Sequence, residues 1–232
     1  MLIDLTGRTA LVTGSTQGIG RAIASTLADA GARVAVNGRT AEIVDAVVSE
    51  LAAEASGRAL VAAPGDVTTQ PGAASVLDAV GDVDILVNNL GIFGAADALE
   101  ISDEEWRRYF DVNVLAAVRL IRATLPGMKA RGWGRVLTIA SDSAIVIPAE
   151  MIHYGTTKTA QLAVSRGLAE SLAGTGITVK PALPGPTRSR RRVGPVPRPV
   201  CHPFGRTSAG GHRERQHTRH RPHRPSRPRL AR

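Results

Sequence analysis

Short apolar runs alternate with segments of helical apolar spacing along most of the chain. Residues 9–13, 33–37, 59–63, 84–88, 135–140 and 177–180 are rich in Val, Ile, Leu and Ala and read as strands. Between them, Val44, Val47, Val48 and Leu51 fall at i, i+3, i+4 and i+7, which lays one apolar stripe along a helix. Ser102 followed by Glu105 reads as a capping box opening a helix that runs on toward Met128. Strand and helix in strict alternation predict βαβ units, so the expected fold is α/β: a single doubly wound, Rossmann-like parallel sheet flanked by helices. The pattern stops after Thr187. Residues 188–232 have no apolar period, one aromatic and seven of the chain's 14 prolines. Such a segment buries too little apolar surface to offset its ordering entropy, so a folded domain over 1–187 and a disordered tail over 188–232 are expected.

Composition changes this picture only at the tail. The chain has 232 residues, 43% of them hydrophobic, which suits one core. Its formal charge of +9 would suggest a nucleic-acid partner if it were spread evenly. Residues 1–187 hold 15 basic against 19 acidic residues, whereas 188–232 hold 14 arginines against Glu214 alone. The basicity therefore belongs to the tail, where the aromatics that would stack bases are absent, and nucleic-acid binding stands as the second interpretation. His212, His217, His220 and His223 lack Cys or carboxylate partners at ligand spacing, and no metal site is expected. Cys201 is the only cysteine, which rules out an internal disulfide and points to the reducing cytoplasm. Asp4 and the absence of a long apolar run argue against a signal peptide or a membrane span.

Candidate chemistry begins at Thr13. Gly14, Ser15, Thr16, Gln17, Gly18, Ile19 and Gly20 follow a strand and open a helix, where glycines let the backbone turn tightly and admit a pyrophosphate to the helix amino terminus. The second strand ends in Asn37, Gly38 and Arg39, with no carboxylate to take a ribose 2′-hydroxyl. A guanidinium there suits a 2′-phosphate, so NADP(H) is expected ahead of NAD(H). Asp66 and Val67 after the third strand could face an adenine. Asn88 and Gly91, in Asn88-Asn89-Leu90-Gly91, follow the fourth, all at the carboxyl edge where ligands of such sheets bind.

Tyr154 and Lys158, four apart, share one face of a helix. A phenol is a poor base near neutral pH unless a cation favours its phenolate, and Lys158 is expected to supply that cation and to bond the nicotinamide ribose. Ser141, with Ser143 as its competitor, ends the fifth strand and could hold a substrate oxygen. Asn113, an unfavourable residue in a helix interior, is expected to hold a water linking Lys158 to solvent. His153 is expected to be a pocket wall, and Trp106 and Trp133 to be packing residues.

These motifs occur in one order, ending in Pro184, Gly185, Pro186 and Thr187. Over about residues 5–187 the chain resembles the short-chain dehydrogenase/reductase family, including its 3-oxoacyl-carrier-protein reductase-like members. The resemblance implies hydride transfer between a nicotinamide dinucleotide and a carbonyl or secondary alcohol. It also implies a tetrad of Asn113, Ser141, Tyr154 and Lys158, the spacing of Gly14, Gly18 and Gly20, and a proline-glycine turn (Pro184, Gly185, Thr187) at the nicotinamide end. The chain departs from the family after that turn, where a substrate lid, a helix and a seventh strand are expected and an Arg/Pro/His/Gly tail stands. That composition predicts a frameshifted carboxyl terminus, a weakened homo-oligomer and an impaired product. Pro181 lacks the amide of a central strand, so the sixth strand is expected at an edge.

Overall fold

The computed structural model describes residues 3–187. Six parallel strands form one sheet: β1 (Thr9–Val12), β2 (Arg33–Gly38), β3 (Leu60–Pro64), β4 (Ile85–Asn88), β5 (Gly134–Ile139) and β6 (Ile177–Ala182). Their order is β3-β2-β1-β4-β5-β6, so the sheet is wound outward in both directions from β1 and β4. Register sets Leu11 beside both Ala35 and Leu86, and Val87 beside Leu137. Six α-helices are described: α1 (Gly18–Asp29), α2 (Ala41–Glu54), α3 (Gln70–Val80), α4 (Asp103–Phe110), α5 (Ala116–Ala130) and α6 (Ile152–Ser171).

The central strands are apolar throughout because both faces are covered, and their two-residue period divides them between two cores. Leu11, Ala35 and Leu86 point to the side packed by Val76, Leu120 and Met128. Ala10, Val12, Val34, Val36, Ile85 and Val87 point to the side packed by Ala24, Val44 and Leu51. Val44, Val47 and Leu51 of the expected stripe are buried, and Val48 lies at its partly covered margin. Alanine and valine supply much of this interior, which lets helices approach the sheet closely.

Three features refine the sequence expectations. Ser102 caps α4 by accepting from the Glu105 amide at 3.3 Å. The Glu105 carboxylate bonds Arg108 at 2.6 and 2.7 Å, so only one half of the expected box forms. The helix toward Met128 is interrupted by a π turn, Asp111–Leu115, which joins α4 to α5. At the other end of the sheet, β6 runs through Pro181 to Ala182, two residues beyond its expected limit. Pro181 pairs with Thr138 of β5, and among the described residues β6 has no other neighbour, so the amide that proline lacks belongs to an open edge. Trp133 packs between the Arg8 and Arg135 guanidiniums, 3.9 and 4.4 Å from its ring centre, which is a packing role. No described helix is long and apolar enough to cross a membrane. The expected disorder of 188–232, the frameshift, the missing lid and the tail's arginines and histidines lie outside the described residues.

Candidate active site

The β1–α1 loop is held by side chains from three neighbouring strand ends. Asn89 donates to the Thr13 and Gly14 carbonyls at 2.9 and 3.1 Å, and Thr13 Oγ1 accepts from the Asn89 and Leu90 amides. Asn37 accepts from the Gly14 amide at 3.3 Å and donates to the Ala63 and Gly65 carbonyls, tying β1, β2 and β3 together. Ser15 bonds the Val12 carbonyl and takes the Asn37 amide. The glycines are required by this geometry. Gly14 and Gly18 have φ of 60° and 58°, and a methyl at Gly20 would lie 2.4 Å from Asn89 Nδ2 and 2.6 Å from the Gly14 carbonyl. At the start of α1, Gln17 makes no side-chain cap, so Thr16, Gln17, Gly18 and Ile19 lead into amides left for an anion.

The remaining nucleotide candidates lie around the same edge. Gly38 approaches Thr16 so closely that a methyl there would sit 2.5 Å from Thr16 Cγ2, and Arg39 is exposed immediately after it. Asp66 Oδ1 accepts from the Thr68 amide and hydroxyl, while Arg119 donates to the Val67 and Thr68 carbonyls at 3.0 Å each. Asn88 is buried with its amide nitrogen and oxygen both unpartnered. A buried polar group costs free energy unless it is bonded, and this one fits a site completed by a polar ligand. Gly91 links the two halves of the edge. A methyl on it would meet Lys158 Nζ at 3.4 Å and Asn113 Oδ1 at 3.3 Å, while its neighbour Leu90 lies against Gly14.

Tyr154 and Lys158 project from one face of α6, with Nζ 5.6 Å from the centre of the Tyr154 ring. The ammonium donates to the Ile139 carbonyl at 2.8 Å and to Gln161 Oε1 at 3.2 Å. Burial lowers its pKa to about 8. Burial pushes the Tyr154 phenol up, bonding from Ser141 opposes the rise, and the Asp142 charge adds to it. Burial is thus the largest influence on the phenol, and the group that opposes it is Ser141. Ser141 is buried and donates to the Asp142 carboxylate at 3.0 Å while accepting from the Ser143 amide at 3.1 Å. Pro184 takes the Asp142 amide at 3.2 Å, Gly185 lies beside Asp142 Oδ2, and Thr187 bonds the Gly185 carbonyl, which sets this turn against the serine.

Asn113 sits in the π turn, fully buried. Its side chain accepts from the Ile92 amide at 2.8 Å and donates to the Ile92 carbonyl at 3.0 Å and to Thr157 Oγ1 at 2.9 Å. Those bonds commit the side-chain amide to the loop after β4 and to α6, and the Asn113 main-chain carbonyl accepts from Gln161. In an Asn113→Ala variant the Ile92 and Thr157 groups lose buried partners. A loss of about 3 kcal/mol is expected from the urea midpoint, and an unchanged midpoint would refute this anchoring. His153 is buried against Tyr109, ring centres 4.1 Å apart, with Trp106 at 6.2 Å, and burial lowers its pKa. It is a neutral packing group between α4 and α6 and forms no pocket wall.

The expected residues thus lie along the strand ends, with Val67 buried in the core and Arg39 exposed just beyond β2. The sequence expectations assign no role to Asn37, Arg119, Thr157 or Gln161. Gln161 carried a signal, since Tyr154, Lys158 and Gln161 continue one helical face at i, i+4 and i+7.

A family model described as short chain dehydrogenase matches residues 8–194. The chain is 49% identical over 187 residues to the uncharacterized oxidoreductase YvaG of Bacillus subtilis, covering 81% of this chain and 71% of that protein. It is 35% identical over 187 residues to the 3-oxoacyl-acyl-carrier-protein reductase FabG of Escherichia coli, covering 79% and 75%. Among solved structures, L-sorbose reductase from Gluconobacter frateurii, complexed with NADPH and L-sorbose, superposes with a TM-score of 0.78 at 34% identity, covering 82% and 73%.

Proposed function

The chain belongs to the short-chain dehydrogenase family of oxidoreductases, and from that premise we propose that residues 1–187 transfer a hydride between NADP(H) and a carbonyl or secondary-alcohol substrate. The observation that carries this is the Leu90–Gly91 link, where Leu90 lies against Gly14 and Gly91 faces the Lys158 ammonium. One short segment thereby connects the glycine loop with the acid–base pair.

The amides from Thr16 to Gly20 would hold the pyrophosphate, Asp66 and Val67 the adenine, and Asn88 and Gly91 the middle of the dinucleotide. Lys158 and Tyr154 would hold the nicotinamide ribose, with Pro184, Gly185 and Thr187 at the nicotinamide end. Bound there, the nicotinamide supplies hydride in reduction and accepts it in oxidation. Ser141 holds the substrate oxygen near the phenol. Tyr154 gives its proton to that oxygen as negative charge builds on it, and in the reverse direction removes the hydroxyl proton. Its raised pKa keeps it protonated at neutral pH, which suits the reductive direction. Lys158 stabilises the phenolate that remains.

Preference for the phosphorylated cofactor rests on Arg39. Charge-assisted bonds to a 2′-phosphate contribute about 1.5–3 kcal/mol, so Arg39→Ala should weaken NADPH by about 10- to 100-fold and leave NADH nearly unchanged. Fluorescence titration of both nucleotides measures this, and equal weakening of the two would remove Arg39 from cofactor choice. The proposal as a whole is tested by NADPH titration followed by turnover on ketoses and 3-oxoacyl thioesters, the substrate types that the relatives' names carry. Failure of both nucleotides to bind would overturn it.

A further inference from the structure

Lys158 is buried, yet among the described residues no carboxylate partners it, and its environment is built by three elements. From β5 comes the Ile139 carbonyl; from the segment after β4 comes Gly91; from α6 itself comes Gln161. Gln161 is also buried, and its two amide atoms face different groups. Oε1 accepts from Lys158 Nζ, while Nε2 donates to the main-chain carbonyl of Asn113 in the π turn. Both ends of this side chain are therefore consumed in one connection between α6 and the turn. A buried glutamine in such a place is costly unless both ends are bonded, and here they are.

We propose that Gln161 is a positioning residue for the hydride-transfer site: its amide ties the Lys158 ammonium to the Asn113 carbonyl, aiming the ammonium past Tyr154 and connecting it to the π turn through protein atoms. This rests on the assignment of Tyr154 and Lys158 as the reacting pair. The π turn serves the arrangement directly, because widening a helix disturbs its i→i−4 bonding and leaves main-chain carbonyls available to other donors. Of the titratable groups, Tyr154 lies one turn away on the same helix, and Asp142 beyond β5 acts on Tyr154. The π turn and the 89–92 segment present amides and carbonyls to the lysine. The acceptor at Gln161 Oε1 thus favours the charged lysine against the desolvation that lowers it.

The chain contains three lysines, Lys129, Lys158 and Lys180, of which the first and last are exposed. Full-length protein labelled with carbon-13 at lysine Cε therefore gives three signals, and Lys158→Arg identifies the buried one. Its titration midpoint should lie below the other two. Gln161→Leu should lower that midpoint by about one to two pH units, and Gln161→Glu, which places a counter-charge on the same atoms, should raise it by a similar amount. Opposite shifts support the proposal; midpoints unmoved in both variants overturn it. Should the leucine variant fail to fold, the near-isosteric glutamate variant decides alone, an upward shift supporting and no shift refuting. The readout needs no turnover. Shifted midpoints in a protein that binds no nucleotide would retain the lysine–glutamine connection while defeating the enzymatic assignment.

Discussion

With phenylalanine in place of Tyr154 (Tyr154→Phe), carbonyl reduction is expected to fall by about 10²- to 10⁴-fold while NADPH affinity falls by no more than about ten-fold, the cost of one hydrogen bond to the ribose. The substitution removes one oxygen from a partly covered ring that keeps its edge contact with Phe93, centres 6.2 Å apart, so the cleft keeps its shape. What disappears is the proton donor. The effect should therefore fall mainly on kcat. Retention of more than about a tenth of the parent rate would remove Tyr154 from the chemistry. The pH profile of the parent supplies a second check. Lys158, with its pKa lowered to about 8, loses its charge as pH rises through that value, so reduction should decline there. Stability moves the other way. A lysine whose folded pKa lies below its unfolded value binds fewer protons in the folded state, so between about 8 and 10.5 its contribution to stability rises with pH. Falling rate with steady or rising unfolding midpoint across that window is the expected signature.

Gly20→Ala is the second large effect. The new methyl would lie 2.4 Å from Asn89 Nδ2 and 2.6 Å from the Gly14 carbonyl, and the carbonyl is backbone that cannot step aside alone. The β1–α1 loop must open, and the Asn89 bonds to the Thr13 and Gly14 carbonyls break with it. Nucleotide affinity should drop by more than about 100-fold, with a stability loss of about 1–3 kcal/mol from overpacking. Gly167→Ala is the matched control: no atom lies within 4 Å of its new methyl, and alanine in a helix should add about 0.5–1 kcal/mol. Normal NADPH titration of Gly20→Ala would show that the loop is not the nucleotide site.

Much of this arrangement is legible along the chain because it depends on short-range periodicity. The short apolar runs at 10–12, 34–36 and 85–87 and the helical stripe at Val44, Val47 and Leu51 are sufficient for the sheet and its covering helices. Tyr154 and Lys158 are likewise read from their spacing. Other features depend on what packs around them. The π turn changes hydrogen-bond register over five residues, too short a stretch to be read from apolar spacing. Gln161 continues the catalytic face, but glutamine on a helix commonly faces solvent, and only the fold shows that this position is enclosed. The phenol's rise and the lysine's fall follow from burial depth, which spacing does not measure. His153 beside a candidate tyrosine suggests a cleft, whereas Tyr109 and Trp106 arrive from α4 to enclose it.

The widened turn at Asp111–Leu115 also changes which way the flanking side chains face. One surplus residue offsets the angular phase of α4 against α5 by about 100° relative to an uninterrupted rod. Tyr109 can therefore be delivered to His153 on α6 while Leu120, Ile121 and Met128 are delivered to the sheet. The pivot between those two allegiances is the residue whose carbonyl receives Gln161, so the facing changes at the same point where the chain grips the lysine.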